Sequence, residues 1–151
     1  MKNKTHYKIV LTDDDPDDQD FFREALLEIG FPGTLECYNN GQELVNFLTD
    51  KNNPVPDLVF LDLNMPILSG LETLQQIRDI EQFSKIPIIA IYSTSSSPSD
   101  KEKSLLAGAN AYITKPSQFS DLKAVLKKVF AISWIAEANE TKNMKNFVIS
   151  A

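Results

Sequence analysis

Two kinds of hydrophobic pattern alternate along the chain. Short, continuous apolar runs rich in β-branched residues occupy positions 9–11, 58–61 and 86–92, and weaker runs occupy 34–38 and 111–114. Continuous apolar character of this length is typical of strands that are covered on both faces, as in a parallel sheet. The pattern therefore predicts five buried strands.

Apolar residues at helical spacing fall between and after these runs. The spacing is clearest near the end, at Leu122, Val125, Leu126 and Val129, with lysines on the other face. One such stripe follows each predicted strand, which gives a strand–helix unit repeated five times. This order predicts an α/β fold, a doubly wound parallel sheet of five strands with five helices and right-handed crossovers. Ligands in such folds bind beyond the carboxyl ends of the strands.

Composition narrows the class of protein. The 151 residues fit one domain, and 21 acids against 15 bases give a net charge of -6, which disfavours binding to nucleic acid. A single cysteine, Cys37, and a single histidine, His6, make a His/Cys zinc site implausible. The apolar runs are shorter than the ~18 residues of a membrane helix, and the polar N-terminus lacks a secretory signal. We therefore expect a cytoplasmic domain that binds neither nucleic acid nor membranes.

Polar side chains follow four of the predicted strands. These residues are Asp13 and Asp14 after the first strand, Asp62 after the third, Ser93 and Thr94 after the fourth, and Lys115 after the fifth. The fold brings all of these loops to one edge of the sheet. Clustered carboxylates repel one another unless a cation neutralises them, and their hard oxygen ligands favour magnesium or calcium. The sequence thus predicts a metal-dependent pocket at this edge.

The ordered motifs resemble the receiver domain of two-component response regulators. They are Asp13-Asp14, Asp62-Leu63-Asn64-Met65-Pro66 followed by Gly70, a hydroxyl after the fourth strand, and Tyr112-Ile113-Thr114-Lys115-Pro116. Each motif alone is weak, but the set is specific, and the resemblance covers residues 6–131. It implies a flavodoxin-like sheet with strand order 2-1-3-4-5. The chain looks most like the stand-alone receivers that often serve phytochrome-type kinases.

The resemblance also implies a metal and a phosphoryl site. Asp62 would be the phosphoacceptor, taking a phosphoryl group from a sensor histidine kinase or a histidine phosphotransfer protein. Asp14 and Asp62 would bind Mg²⁺ directly together with the backbone carbonyl of Asn64, whereas Asp13 would act mainly through a bound water. Lys115 would pair with the phosphoryl group as a point charge.

The resemblance also assigns roles to three further positions. Pro116 suits the cis peptide that is usual in the family. Tyr112 fills the aromatic switch position, although a purely structural core aromatic remains an alternative. The switch hydroxyl is open, because counting from Pro87 selects Tyr92 whereas the serine-threonine motif selects Ser93. A tyrosine is too long for this task, so we favour Ser93, with Thr94 as the alternate.

The remaining acids of the first loop have a simpler interpretation. Asp17, Asp18 and Asp20 fall at a predicted helix start, where an aspartate caps the helix or interacts favourably with its dipole. We interpret these three side chains as exposed and without a part in the site.

The predicted function is that of a single-domain response regulator that signals by altered protein binding. It would not be an enzyme beyond Mg²⁺-dependent self-phosphorylation from a phosphodonor and autodephosphorylation. One alternative is a degenerate receiver that acts as a phosphorylation-independent docking module. A haloacid-dehalogenase-like phosphohydrolase is less favoured, because that class needs an acid two residues after the nucleophile, where this chain has Asn64.

Residues 132–151 are predicted to form a helix extension and a tail without an output domain. The apolar stripe of the last helix continues past Val129, so the helix is expected to reach about residue 137. Trp134 and Phe147 lie in this segment, and such side chains are normally buried. They either fold back onto the domain or bury themselves in a homodimer, and the sequence favours neither.

Overall fold

The computed structural model describes residues 6–83, 89–132 and 147–151. Five strands form one sheet: β1 (Tyr7–Thr12), β2 (Gly33–Tyr38), β3 (Leu58–Leu61), β4 (Ile89–Ser93) and β5 (Ala111–Thr114). All neighbouring strands are parallel, and their order is β2-β1-β3-β4-β5. The predicted α/β fold and its flavodoxin-like strand order are therefore confirmed.

Five helices connect and flank the strands: α1 (Pro16–Glu28), α2 (Gly41–Thr49), α3 (Gly70–Asp79), α4 (Pro98–Leu106) and α5 (Phe119–Ala131). Polar N-caps set where most of them begin. The side chain of Asp15 caps α1, that of Asn40 caps α2, and Ser69 and Glu72 form a reciprocal capping box at α3. Each cap satisfies backbone N–H groups that the helix itself leaves unpaired.

The sheet separates two apolar cores. On one face it packs against α1 and α5, with Phe22 and Leu126 fully buried. On the other face it packs against α2 and α3, with Leu44 and Leu74 fully buried. All four residues of β3 are inaccessible to solvent, as expected for a central strand that is covered on both faces.

The last helix is shorter than the sequence predicts. It ends at Ala131, because Ile132 takes an extended backbone with φ -73° and ψ 135°, which cannot continue a helix. The predicted extension of the helix to about residue 137 is therefore wrong, because the first residue after Ala131 is not helical. Trp134, which was expected either to fold back onto the domain or to be buried in a homodimer, lies outside the described residues.

The chain terminus lies along the edge of the sheet. Val148 forms a parallel bridge with Tyr112, and the backbone N–H of Ile149 donates to the Tyr112 carbonyl at 2.9 Å. Phe147 is fully buried, and the Lys128 ammonium donates to the Ser150 carbonyl at 2.6 Å. For these residues the chain folds back on its own β5, whereas dimerisation stays a prediction. In the parts of the chain that the structure describes, no helix is both long and apolar enough to cross a membrane.

Candidate functional site

Backbone hydrogen bonds beyond the strand ends bring the predicted residues together. The N–H of Asp62 donates to Thr12 at 3.0 Å, which continues the pairing of β3 with β1. In the same way the N–H of Lys115 donates to Ser93 at 2.7 Å, continuing the pairing of β5 with β4. The N–H of Asp13 is bonded to the Tyr38 carbonyl at 3.0 Å. These backbone hydrogen bonds therefore hold Asp13, Asp62 and Lys115 at one edge of the sheet, and their side chains project from that edge.

The Lys115 ammonium lies among three carboxylates. Its Nζ is 2.7 Å from Asp13 Oδ2, 2.8 Å from Asp18 Oδ2 and 3.1 Å from Asp62 Oδ2. The lysine side chain is only 8% exposed. The contacts with Asp18 and Asp62 are hydrogen bonds, whereas the contact with Asp13 is an ion pair. Lys115 is thus fixed in direct contact with the predicted phosphoacceptor.

Burial and charge act in opposite directions on the pKa values of this group. Burial alone would lower the pKa of Lys115, but the close contacts with Asp13 and Asp18 and the charge of Asp62 outweigh it and raise that pKa. Lys115 therefore stays charged at neutral pH. Burial raises the pKa of the Asp13 and Asp62 carboxyls, although Lys115 acts to lower it in both. Both carboxylates would accordingly gain from a further cation.

The side chains of Asp13, Asp14 and Asp62 fit a small divalent metal. One carboxylate oxygen from each lies within 4.8 Å of the others, and two of the residues are buried while Asp14 is exposed. Asp13 already uses Oδ1 to accept the N–H of Asp15 at 3.0 Å and Oδ2 to pair with Lys115. Asp14, which is exposed, is therefore better placed than Asp13 to offer a direct ligand, and the three carboxylates supply the oxygen ligands that hard divalent cations take.

Binding of Mg²⁺ is expected to stabilise the protein through this cluster. At a concentration ten times the dissociation constant, the gain in unfolding free energy is about 1.4 kcal/mol. Asp14→Ala should bind Mg²⁺ much more weakly, while its metal-free form remains at least as stable because like-charge repulsion is removed. Thermal melts with and without Mg²⁺ measure both effects. Asp17→Ala, which removes an exposed acid outside the cluster, is the control, and an equal Mg²⁺ shift in both variants would contradict the site.

The loop after Asp62 is closely packed against its own backbone. The N–H of Asn64 lies 3.4 Å from Asp62 Oδ1, and the N–H of Gly70 donates to the Leu63 carbonyl at 2.8 Å. A Cβ atom at Gly70 would meet the Asp62 carbonyl oxygen at 2.0 Å, so only glycine fits there. The start of α3 therefore fixes the backbone of Asp62. The expected metal-binding role of the Asn64 carbonyl stays a prediction.

The three candidates for the switch hydroxyl have different surroundings. Tyr92 is buried with its ring against Phe22 and Phe60, as a core residue. Ser93 is fully buried at the end of β4, where its Oγ accepts the N–H of Ser95 at 3.2 Å. Thr94 is exposed. The packing of Tyr92 agrees with the preference for a serine or threonine.

Comparison of the sequence with models of known protein families shows which family the chain belongs to. Residues 9–127 match the family model described as the response regulator receiver domain. The chain belongs to this family. It is therefore a receiver domain of two-component signalling, and receivers of this kind bind divalent metal and pair with histidine kinases or phosphotransfer proteins.

Individual relatives and solved structures agree with this assignment. The receiver is 29% identical over 124 residues to the probable methanogenesis regulatory protein FilR2 of Methanothrix harundinacea, covering 80% of this chain and 79% of that protein. It is similar to the phosphorylated cyanobacterial phytochrome response regulator RcpA, with 32% identity, a TM-score of 0.75 and coverage of 82% and 91%. It is also similar to the Mn²⁺-bound response regulator Rcp1, with 26% identity, a TM-score of 0.74 and coverage of 91% and 99%. The chain spans only 6% to 47% of three longer relatives.

Tyr112 links the loop after β4 to the chain terminus. Its ring is fully buried, its hydroxyl donates to the Ser95 carbonyl at 2.9 Å, and its ring centroid lies 6.2 Å from that of Phe147. The ring of this receiver's proposed switch residue is therefore turned inward and covered by the tail.

If Ser93 couples phosphorylation to shape, replacing it should uncouple Tyr112. Ser93→Ala is expected to accept a phosphoryl group but to lose the accompanying change in the Tyr112 ring resonances. Alanine has no hydroxyl that could leave the Ser95 N–H and turn toward the phosphoryl group. NMR of both states measures this. Thr94→Ala is the matched control, and the reverse result in the two variants would select Thr94 as the switch.

The peptide bond before Pro116 departs from the expectation. No cis peptide bond occurs in the described residues, so the predicted cis form at Pro116 is wrong for this structure. A trans bond before proline is favoured by about 0.5–1 kcal/mol. Lys115 makes its three carboxylate contacts with the bond in that form.

Asp18 is the site residue that sequence reasoning missed. Its side chain, interpreted as exposed, is 34% exposed and is bonded to Lys115. Hydrophobic patterning carries no signal for this contact, because an acid in the first turn of a helix has an adequate local explanation. Asp18 reaches Lys115 because the fold places the first turn of α1 beside the strand ends.

Proposed function

We propose that this receiver accepts a phosphoryl group on Asp62 from a histidine kinase or a phosphotransfer protein in a Mg²⁺-dependent reaction. The observation that carries the proposal is the contact of Lys115 with Asp62, which is one of three carboxylates that can share a metal. A charged donor next to a carboxylate nucleophile is suited to phosphoryl transfer, where positioning and charge neutralisation supply most of the catalysis.

The residues have separate tasks in this reaction. An Asp62 oxygen forms a bond to phosphorus while the bond from phosphorus to the donor's imidazole nitrogen breaks, and the imidazole retains the bonding electrons. Lys115 donates to an oxygen of the transferred group. Asp13, Asp14 and Asp62, with the Asn64 carbonyl, would hold Mg²⁺, which when bound neutralises charge on the phosphoryl oxygens.

The output would be altered protein binding. Ser93 Oγ accepts the N–H of Ser95, and the Ser95 carbonyl accepts the Tyr112 hydroxyl, so a change at Ser93 would reach Tyr112 through hydrogen bonds already present. The chain would act only on itself, through phosphorylation and autodephosphorylation. A phosphohydrolase of the haloacid-dehalogenase type would need an acid at the position where this chain has Asn64. A docking module that is not phosphorylated would not need Lys115 buried against Asp62.

The test is phosphorylation by a small donor. Incubation with acetyl phosphate and Mg²⁺ is expected to add one phosphoryl group, seen as a mass increase, and chelation of Mg²⁺ should prevent it. Asp62→Asn should abolish the modification because the amide is not a nucleophile, whereas Asp57→Asn, an acid just before β3, should retain it. An unchanged modification in Asp62→Asn would remove Asp62 from the acceptor role.

A further inference from the structure

Asp18 differs from the other two carboxylates that contact Lys115. Asp13 and Asp62 belong to the cluster that can share a metal, whereas Asp18 lies outside it, in the first turn of α1. Its Oδ2 nevertheless approaches Lys115 Nζ at 2.8 Å, closer than the 3.1 Å of Asp62. Neither a metal ligand nor a helix dipole explains this contact.

The donors of Lys115 indicate what the contact does. The ammonium donates to Asp18 Oδ2 at 2.8 Å and forms an ion pair with Asp13 Oδ2 at 2.7 Å, and these two acids lie on different structural elements. Another donor of the same ammonium points to Asp62 Oδ2 at 3.1 Å, beside the position at which a transferred phosphoryl oxygen would arrive. We propose that Asp18 is a positioning residue that, with Asp13, aims the Lys115 ammonium at the phosphoryl group.

This inference rests on the proposed phosphorylation of Asp62 and adds no chemical step to it. The Asp62 oxygen–phosphorus bond forms and the bond to the leaving group breaks as before. The Lys115 donor that contacts Asp62 Oδ2 moves to a phosphoryl oxygen, while the contacts with Asp13 and Asp18 remain. The lysine thus exchanges one contact for another without having to be ordered first, which is the advantage of a preorganised donor.

The chain contains a matched control for charge. Asp17 lies in the same first turn and is exposed, and its N–H donates to the Asp15 side chain as part of the helix cap. Both Asp17→Asn and Asp18→Asn remove one charge from the α1 N-terminus and therefore weaken the helix dipole interaction similarly. Only Asp18→Asn replaces a carboxylate that contacts Lys115.

The first experiment measures rates of phosphorylation by acetyl phosphate at saturating Mg²⁺. Asp18→Asn is expected to lower the rate about tenfold, since loss of one full charge-stabilising donor typically costs about 100-fold or more and here the donor is only misdirected. Asp17→Asn should stay within about twofold of the unmodified chain. In a Lys115→Ala background, Asp18→Asn should cause no further decrease, because the group through which it acts is absent.

A second experiment needs neither phosphoryl donor nor metal. Thermal unfolding in the presence of a chelator should show that Asp18→Asn lowers the melting temperature when Lys115 is present. In the Lys115→Ala background the same substitution should lower it no more than Asp17→Asn does, because the contact with Lys115 is gone and Asp18 keeps only its helix-dipole interaction and its repulsion from Asp13 and Asp62. A helix-dipole role alone would lower the melting temperature equally in both backgrounds.

The outcomes separate this inference from the proposed function. If the unmodified chain is phosphorylated on Asp62 but Asp18→Asn behaves as Asp17→Asn, or is faster, the positioning role is wrong and the function stands. An equal effect of Asp18→Asn with and without Lys115 also overturns it. If Asp62 takes no phosphoryl group, the proposed function fails and the positioning role in that reaction fails with it, whatever the unfolding experiment shows of the contact.

Discussion

Phe147→Ala is expected to lower the free energy of unfolding by about 3–5 kcal/mol, which is the usual cost of truncating a buried phenylalanine. Phe147 is fully buried and packs in the same core as Tyr112, although it lies only a few residues from the chain terminus. The measurement is urea unfolding followed by circular dichroism. Val148→Ala, at the half-buried neighbour that forms the bridge with Tyr112, should lower the free energy of unfolding clearly less.

The same variant distinguishes a folded-back tail from a dimer. When the tail packs on its own domain, the loss of stability is independent of protein concentration, whereas a dimer contact makes it concentration-dependent. Deleting residues 147–151 should reproduce the loss without changing the molecular mass in solution. A loss below about 1 kcal/mol would show that Phe147 does not occupy the β5 edge as described.

Gly70→Ala is the second substitution with a large expected effect, about 3 kcal/mol, at the upper end for overpacking. The added Cβ would lie 2.0 Å from the Asp62 carbonyl oxygen and 2.6 Å from Leu63 Cα, and both atoms are backbone. The clash can be relieved only by moving the start of α3 away from the strand end. Phosphorylation should therefore fall together with stability, as measured by mass spectrometry and urea unfolding.

Gly30→Ala is the matched control for this prediction. Gly30 has a positive φ of 71° but no atom within 4 Å of an added Cβ. The substitution should therefore lower the free energy of unfolding by only about 1–2 kcal/mol, through backbone strain. Phosphorylation should be unaffected, since Gly30 follows α1 at the end of the sheet opposite Asp62. A Gly70→Ala variant that unfolds no more easily than Gly30→Ala would show that the loop after Asp62 adapts.

Much of the site follows from local features of the sequence. Asp13, Asp62 and Lys115 each directly follow a strand, and parallel strands must place such residues on one edge. The apolar runs locate those strands because burial on both faces requires continuous apolar character. By contrast, Asp18 is separated from Lys115 by 97 positions in the chain, and no periodicity relates them.

Hydrophobic spacing was enough to predict the succession of strands and helices, the burial of the sheet on both faces and the residues that follow the strand ends. Each of these depends on the local pattern of apolar and polar positions. The contact of Asp18 with Lys115 and the packing of Phe147 on Tyr112 exist only in the folded chain, because they join elements that are far apart in sequence and that no local pattern relates. The end of α5 at Ala131 is likewise not visible in the sequence, because the apolar stripe permits a longer helix and it is the extended backbone of Ile132 that ends it.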